Sequence, residues 1–195
     1  MPTIITESII EEKGLKILNE LGYTLLYGPD ISEGGKHEER KYPEVILAGR
    51  LRQALERINP KIPKEGIIEA IRKVQRSESQ NLLNNNQQFH NFLVNGVEVE
   101  YKKDGKIKGD KVWLIDFEKV KNNEFLAINQ LTILENNHNR RPDILIFING
   151  LPLALFELKN PADQDATMSN AFKQVETYKV EISSLLYLGT MNLLF

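Results

Sequence analysis

Asp143, Glu157 and Lys159 stand in "RRPDILIFINGLPLALFELKN", residues 140–160, among runs of Ile, Leu and Phe. In an extended strand residues two apart share a face, so Glu157 and Lys159 point the same way, opposite to Phe156 and Leu158. Asp143 opens the preceding apolar run, and a hairpin that sets it opposite Glu157 brings the two Cβ atoms to about 4.5–5.5 Å. Two carboxylates that close repel and raise one pKa unless a cation lies between them. Magnesium prefers oxygen ligands, takes one or two carboxylates plus waters, and leaves positions for a phosphate. Such an ion polarises a scissile phosphate and lowers the pKa of a bound water, while Lys159 would orient that water or neutralise the phosphate. The spacing therefore fits metal-assisted phosphodiester hydrolysis. A plainer reading stays open on the same residues: an acid and a lysine on a solvent-facing strand, and an Asp after a Pro that only enters a strand. The nearly continuous apolar runs on both sides suggest strands covered on both faces, where charges are costly unless employed, and this favours the site.

Register decides whether the two acids can meet. If Asn149-Gly150 were a strict two-residue turn, Ile148 would pair with Leu151 and Asp143 with Phe156, throwing Asp143 and Glu157 onto opposite faces. A three-residue connection, or a bulge near Leu151 and Pro152, restores the parity. The expectation is therefore that the connection is not a simple two-residue hairpin.

The elements that must position these residues can be read along the chain. "TESIIEEKGLKILNELGYTLLYG" carries apolar residues at Ile9, Ile10, Leu15, Leu18 and Leu21, with Thr6 as N-cap, and reads as an amphipathic helix. After the polar loop "ISEGGKHEERKYP", the segments "EVILAGRLRQALERIN" and "EGIIEAIRKVQRS" read as two helices, each approached through a proline. "NLLNNNQQFHNFLVNG" reads as a short helix closing on Gly96. The character then changes. "VEVEY", "VWLIDF", "EFLAINQLTIL", "DILIFI" and "PLALFELK" are short β-branched or aromatic runs and read as an antiparallel meander, followed by a helix over "DATMSNAFKQVETYKVEI". Helices, a meander and a returning helix give an α/β fold of one domain over residues 1–195, helical over 1–95 and with the sheet and return helix over 96–182.

The 195 residues contain no cysteine, which excludes a disulfide framework, a thiolate metal site and a cysteine nucleophile. No run approaches a membrane span and the first residues lack the order of a signal peptide, so a cytoplasmic protein is expected. A formal net charge of −2 excludes wholesale attraction to nucleic acid and makes any DNA contact local, although basic residues concentrate between Lys36 and Arg76. There is no phosphate-binding G-x-x-x-x-G-K-[ST] loop and no G-x-S-x-G, and His37, His90 and His138 are isolated.

"RRPDILIFINGLPLALFELKNP" resembles the nuclease motif of the restriction (R) subunit of Type I restriction-modification enzymes, a branch of the PD-(D/E)xK nuclease superfamily. "TESIIEEKGLKILNELGYTLLYG", "LRQALERINPKIP", "NNNQQFHNFLVNGVEVEY" and "LIDFEKVKNNEFLAINQLTI" resemble the N-terminal region of the same family. The resemblance implies a restriction-endonuclease-like meander sheet flanked by helices. It implies that Asp143 and Glu157 bind Mg2+, with Mn2+ as a substitute, that the carbonyl of Leu158 adds a ligand, and that Lys159 serves the attacking water. "QVETY" resembles the family's Q-x-x-x-Y element, with Gln174 and Tyr178 one helical turn apart, contacting the DNA backbone or supporting the site; an ordinary amphipathic helix is the alternative. Glu11 matches an acid of the family's first helix that would reach the metal, against the alternative of a solvated acid. The implied substrate is double-stranded DNA cut without sequence preference, and the implied partners are the modification and specificity subunits of the full enzyme. The family's ATP-driven translocase has no counterpart here, so no ATP site is expected and the chain reads as a fragment or truncated product. A catalytically silent DNA-binding or assembly module of the same fold is the runner-up, and action on RNA or on DNA ends is a third reading.

Overall fold

The computed structural model describes residues 6–76, 81–159, 168–187 and 192–194. Thr6 is extended and precedes helix α1 (Glu7–Glu20), which stops at Leu21 where Gly22 takes a positive φ of 94°. The stop is earlier than the apolar spacing suggested: "TLLY" leaves the helix and forms strand β1 (Thr24–Tyr27). A four-residue helical turn α2 (Gly28–Ile31) follows, and then helices α3 (Ala48–Ile58), α4 (Lys64–Gln75) and α5 (Leu82–Asn95). Helix α3 begins four residues later than "EVILAG" suggested. Helix α5 is capped by the Asn81 side chain and closes on Gly96, as its sequence indicates.

The strands are β2 (Val97–Lys103), β3 (Lys106–Val112), β4 (Phe125–Asn129), β5 (Ile133–Glu135), β6 (His138–Arg140), β7 (Ile144–Ile148), β8 (Leu151–Phe156) and β9 (Asn192–Leu194). They form a five-stranded sheet of order β1-β4-β7-β8-β9 and two separate hairpins, β2-β3 and β5-β6. The expected meander is present at the centre, where β4, β7 and β8 are antiparallel. Both edges differ from the expectation: β1 joins β4 and β9 joins β8 in parallel. "VEVEY" pairs with "KIKGDKV" outside the main sheet, and "VWLIDF" is mostly loop. The class is as expected, a mixed sheet flanked by helices.

Helices cover both faces of the sheet. Leu145, Phe147 and Leu155 join a large apolar cluster with Leu51 and Leu55 of α3, Ile67 of α4, Phe89 of α5, and Val175, Tyr178 and Ile182 of the last long helix, α6 (Met168–Glu181), and its exit. Ile144 and Ile146 face the other way and pack with Leu18 of α1 and Ala127. Residues 165–167 of the expected return helix lie outside the described residues. A short helix α7 (Ser183–Tyr187) follows α6. Among the described residues no helix is long and apolar enough to cross a membrane.

Candidate active site

The turn between β7 and β8 corrects one expectation and fulfils its purpose. Asn149 and Gly150 both have positive φ, 54° and 80°, and Ile148 pairs directly with Leu151, so the connection is the two-residue turn that Asn-Gly favours. The side chain of Asn149 is fully buried. It accepts from the Glu124 backbone N–H and donates to the Leu114 carbonyl and Asn123 Oδ1, which fixes the turn in place. Parity is restored one step further on: Phe147 pairs with Pro152 but Ile146 pairs with Ala154, leaving Leu153 as the extra residue of a bulge. Ile144 then faces Phe156, and the next positions outward are Asp143 and Glu157.

Both acids are therefore brought to the rim of the sheet on the side of Leu145 and Leu155, where α6 packs. Asp143 is 8% exposed and Glu157 3%. Both lie just outside the strands, with the Asp143 carbonyl accepting from the Gln130 N–H at 3.1 Å. Asp143 Oδ2 accepts from the Leu158 N–H at 2.6 Å, which ties the two chain segments together. Gln174 and Tyr178 stand a turn apart on α6 and close a ring of hydrogen bonds. Lys159 Nζ donates to Gln174 Oε1 at 2.6 Å and to Glu157 Oε1 at 3.3 Å, Gln174 Nε2 donates to the Tyr178 hydroxyl at 2.9 Å, and that hydroxyl donates to Glu157 Oε2 at 3.1 Å.

The electrostatics follow from burial. Glu157 is pushed up to about 7, first by burial and then by the charge of Asp143, against the opposing pull of Lys159 and Tyr178. Asp143 is raised by burial too, with Glu7 and Glu11 adding to the shift and the Leu158 N–H opposing it. Burial, and then the Glu157 charge, raise the Tyr178 hydroxyl, which keeps it a proton donor. Two crowded carboxylates strained toward protonation are a set of hard oxygen donors short of a cation, and they suit a divalent ion that takes its other ligands from water or phosphate. Among the described residues no group of three or more His, Cys, Asp or Glu is spaced to hold a metal, so Asp143 and Glu157 would act as a pair.

Glu11 does not join that pair through a hydrogen bond. Its two oxygens accept from Asn129 Nδ2 at 2.7 Å and from Gln130 Nε2 at 2.9 Å, at the end of β4 beside Asp143. Sequence reasoning missed a second set of residues. Arg140, at the end of β6 and three residues before Asp143, pairs through Nε with Glu181 at the end of α6, and His138 Nδ1 lies 3.4 Å from the same carboxylate. Glu135 of β5 accepts from the Ser183 hydroxyl at 3.0 Å and from the Ser184 N–H at 3.0 Å. The β5-β6 hairpin thus grips the end of the helix that carries Gln174 and Tyr178. Only the tertiary pairing reveals this, because the partners are more than 40 residues apart.

A family model described as "Type I restriction enzyme R protein N terminus" matches residues 4–193. The chain belongs to that family. Among curated relatives, the chain is 39% identical over 184 residues to the Type I restriction enzyme HindI endonuclease subunit of Haemophilus influenzae, a match covering 93% of the chain. It is 33% identical over 180 residues, 91% of the chain, to the putative type I restriction enzyme MjaIXP endonuclease subunit of Methanocaldococcus jannaschii. A second subunit of that organism, putative MjaVIIIP, is 27% identical over 95% of the chain. The chain spans 17% of the length of each.

Proposed function

We propose that this chain is the cutting part of a Type I restriction endonuclease subunit, hydrolysing phosphodiester bonds of double-stranded DNA with no sequence preference of its own. One observation carries the reading: Asp143 and Glu157 are buried side by side, with Lys159 held against them by Gln174. In this reading Asp143 and Glu157 hold Mg2+, or Mn2+ in its place, together with the Leu158 carbonyl. The bound ion would polarise the scissile phosphate and make its water more acidic. The chain's own residues supply the rest. Lys159, held by Gln174 and Glu157, presents its ammonium where it can orient the attacking water or neutralise a phosphate oxygen. Tyr178 and Gln174 hold Glu157 and Lys159 in one geometry, so they are positioning residues. Hydrolysis consumes one water: its oxygen forms the new bond to phosphorus, the bond to the departing sugar oxygen breaks, and its protons pass to that oxygen and to solvent. Delivery to DNA would come from the rest of a full-length subunit, together with modification and specificity partners.

The test is magnesium-dependent nicking of supercoiled plasmid by the chain and by Lys159→Ala. The reading expects nicking that chelation stops and that Lys159→Ala lowers by at least about 100-fold, the scale of a lost charge-stabilising group. Nicking by Lys159→Ala at the wild-type rate would overturn the role given to Lys159, and absence of magnesium-dependent nicking by the wild-type chain would overturn the nuclease reading in favour of the silent DNA-binding module.

A further inference from the structure

The β2-β3 hairpin lies outside the main sheet and packs by its root alone. Val97, Val99, Tyr101 and Val112 are buried, whereas residues 102–109 are exposed without interruption. The tip turns through Asp104 and Gly105, with φ of 53° and 75°, so it is a regular two-residue turn and the ribbon is short and well defined. Charge is distributed unevenly along it. Away from the tip the lysines have partners: Lys108 Nζ lies 3.3 Å from Asp110, Lys111 Nζ 3.9 Å from Glu98, and Lys73 of α4 donates to the Glu98 carbonyl at 2.8 Å. At the tip Lys102, Lys103 and Lys106 have no ion-pair partner among the described residues, and Lys103 stands directly opposite Lys106.

Like charges directly opposite across a ribbon destabilise it. Lysines on an exposed strand also discourage edge-to-edge aggregation, but that purpose is served by lysines facing anything else. A facing pair gains stability when a polyanion lies against both. Resting on the nuclease reading above, we propose that the tip of the β2-β3 hairpin, through the facing pair Lys103 and Lys106, contacts the phosphate backbone of double-stranded DNA. Two features favour DNA over an acidic protein. Lysine is depleted at protein-protein interfaces, which are anchored by aromatic residues and arginine, and the exposed residues 102–109 include neither. A two-stranded ribbon is narrow enough for a DNA groove about 12 Å wide. The same residues also lack Arg, Asn and Gln, the side chains that read base edges in pairs, so the contact is to phosphate and is sequence-independent. In a chain of net charge −2 a DNA contact must be local, and the hairpin tip is one such basic surface.

The test uses the whole chain, 15N-labelled and free of divalent ions so that no cleavage occurs, titrated with a 20-base-pair duplex at low salt. Backbone amide shifts at 102–108 are expected, and raised salt should reverse them. The double variant K103E/K106E should lose those shifts, and K103R/K106R should keep them. In parallel binding measurements K103A/K106A should flatten the dependence of log K on log salt by roughly 2, as two lost phosphate contacts require. Unmoved tip amides, an unchanged slope, or shifts produced by polyglutamate and not by the duplex would each overturn the proposal, the last in favour of an acidic protein partner. The nuclease reading is scored separately by magnesium-dependent nicking of plasmid by the wild-type chain, so either can fail alone.

Discussion

Glu157 has an unusual task for a carboxylate, because burial and the adjacent Asp143 hold it near neutrality at about 7. Its pKa in the folded chain lies above the ordinary value of 4.5, so the folded state binds the proton more tightly than the unfolded state does. The stability it contributes is fully present below about pH 4.5 and is lost as pH rises through about 7, on the order of 3 kcal/mol for a shift of this size. The metal-free chain is therefore expected to become less stable between pH 5 and 8, Glu157→Gln to flatten that slope, and divalent ion to restore stability at pH 8. Denaturant midpoints across this range check it; a stability that rises with pH in the metal-free chain would contradict the assignment. Tyr178 fits the same account, since a hydroxyl kept protonated by burial can donate to Glu157 throughout.

At the scale of elements, two of the turns with positive φ, at Gly105 and at Gly150, separate conformational strain from packing. A Cβ at Gly150 would approach the Leu47 carbonyl oxygen to 2.6 Å and the Leu51 nitrogen to 2.8 Å, whereas a Cβ at Gly105 meets nothing within 4 Å. Gly105→Ala should cost about 1 kcal/mol and stay confined to the hairpin. Gly150→Ala should cost at least about 2–3 kcal/mol, because backbone must move in the turn that sets the register of the site. Urea unfolding of both variants decides this, and equal losses would contradict it. The same hairpin shows what was legible. Asp143, Glu157 and Lys159 stood out by residue type and spacing, Gln174 and Tyr178 by resemblance alone, and the parity argument required a device to bring the two acids together. That device is a bulge at Leu153 beyond an ordinary Asn-Gly turn, since local propensity fixes the turn while the alternation of Leu145 and Leu155 toward the core fixes the register. Strand β1 was hidden because "LGYTLLYG" continues the apolar spacing of α1, and only pairing with β4 makes it a strand. The parallel edges and the Arg140-Glu181 contact stayed hidden for the same reason, as pairing partners distant in sequence leave no periodic signal.

At the scale of the molecule, α1 covers one face of the sheet, α6 and α3 to α5 cover the other, and the two buried acids sit at the rim where the central hairpin meets α6. The arrangement divides labour. The rim acids are placed by the sheet, Lys159 and Glu157 are oriented by α6, and α6 is fixed at its end by the β5-β6 hairpin through Arg140 and Glu181. In the proposed function Asp143 and Glu157 form one cation site and Lys159 acts after it is filled. Calorimetric titration of Mg2+ or Mn2+ into wild type, Asp143→Ala, Glu157→Ala, Lys159→Ala, Gln174→Ala and Tyr178→Ala, with circular dichroism to confirm folding, tests this directly. The two carboxylate variants are expected to stay folded and lose the ion, by at least about 10-fold in affinity, while Lys159→Ala, Gln174→Ala and Tyr178→Ala bind it within a few-fold of wild type and are impaired only in cleavage. Wild-type affinity in folded Asp143→Ala and Glu157→Ala would contradict it.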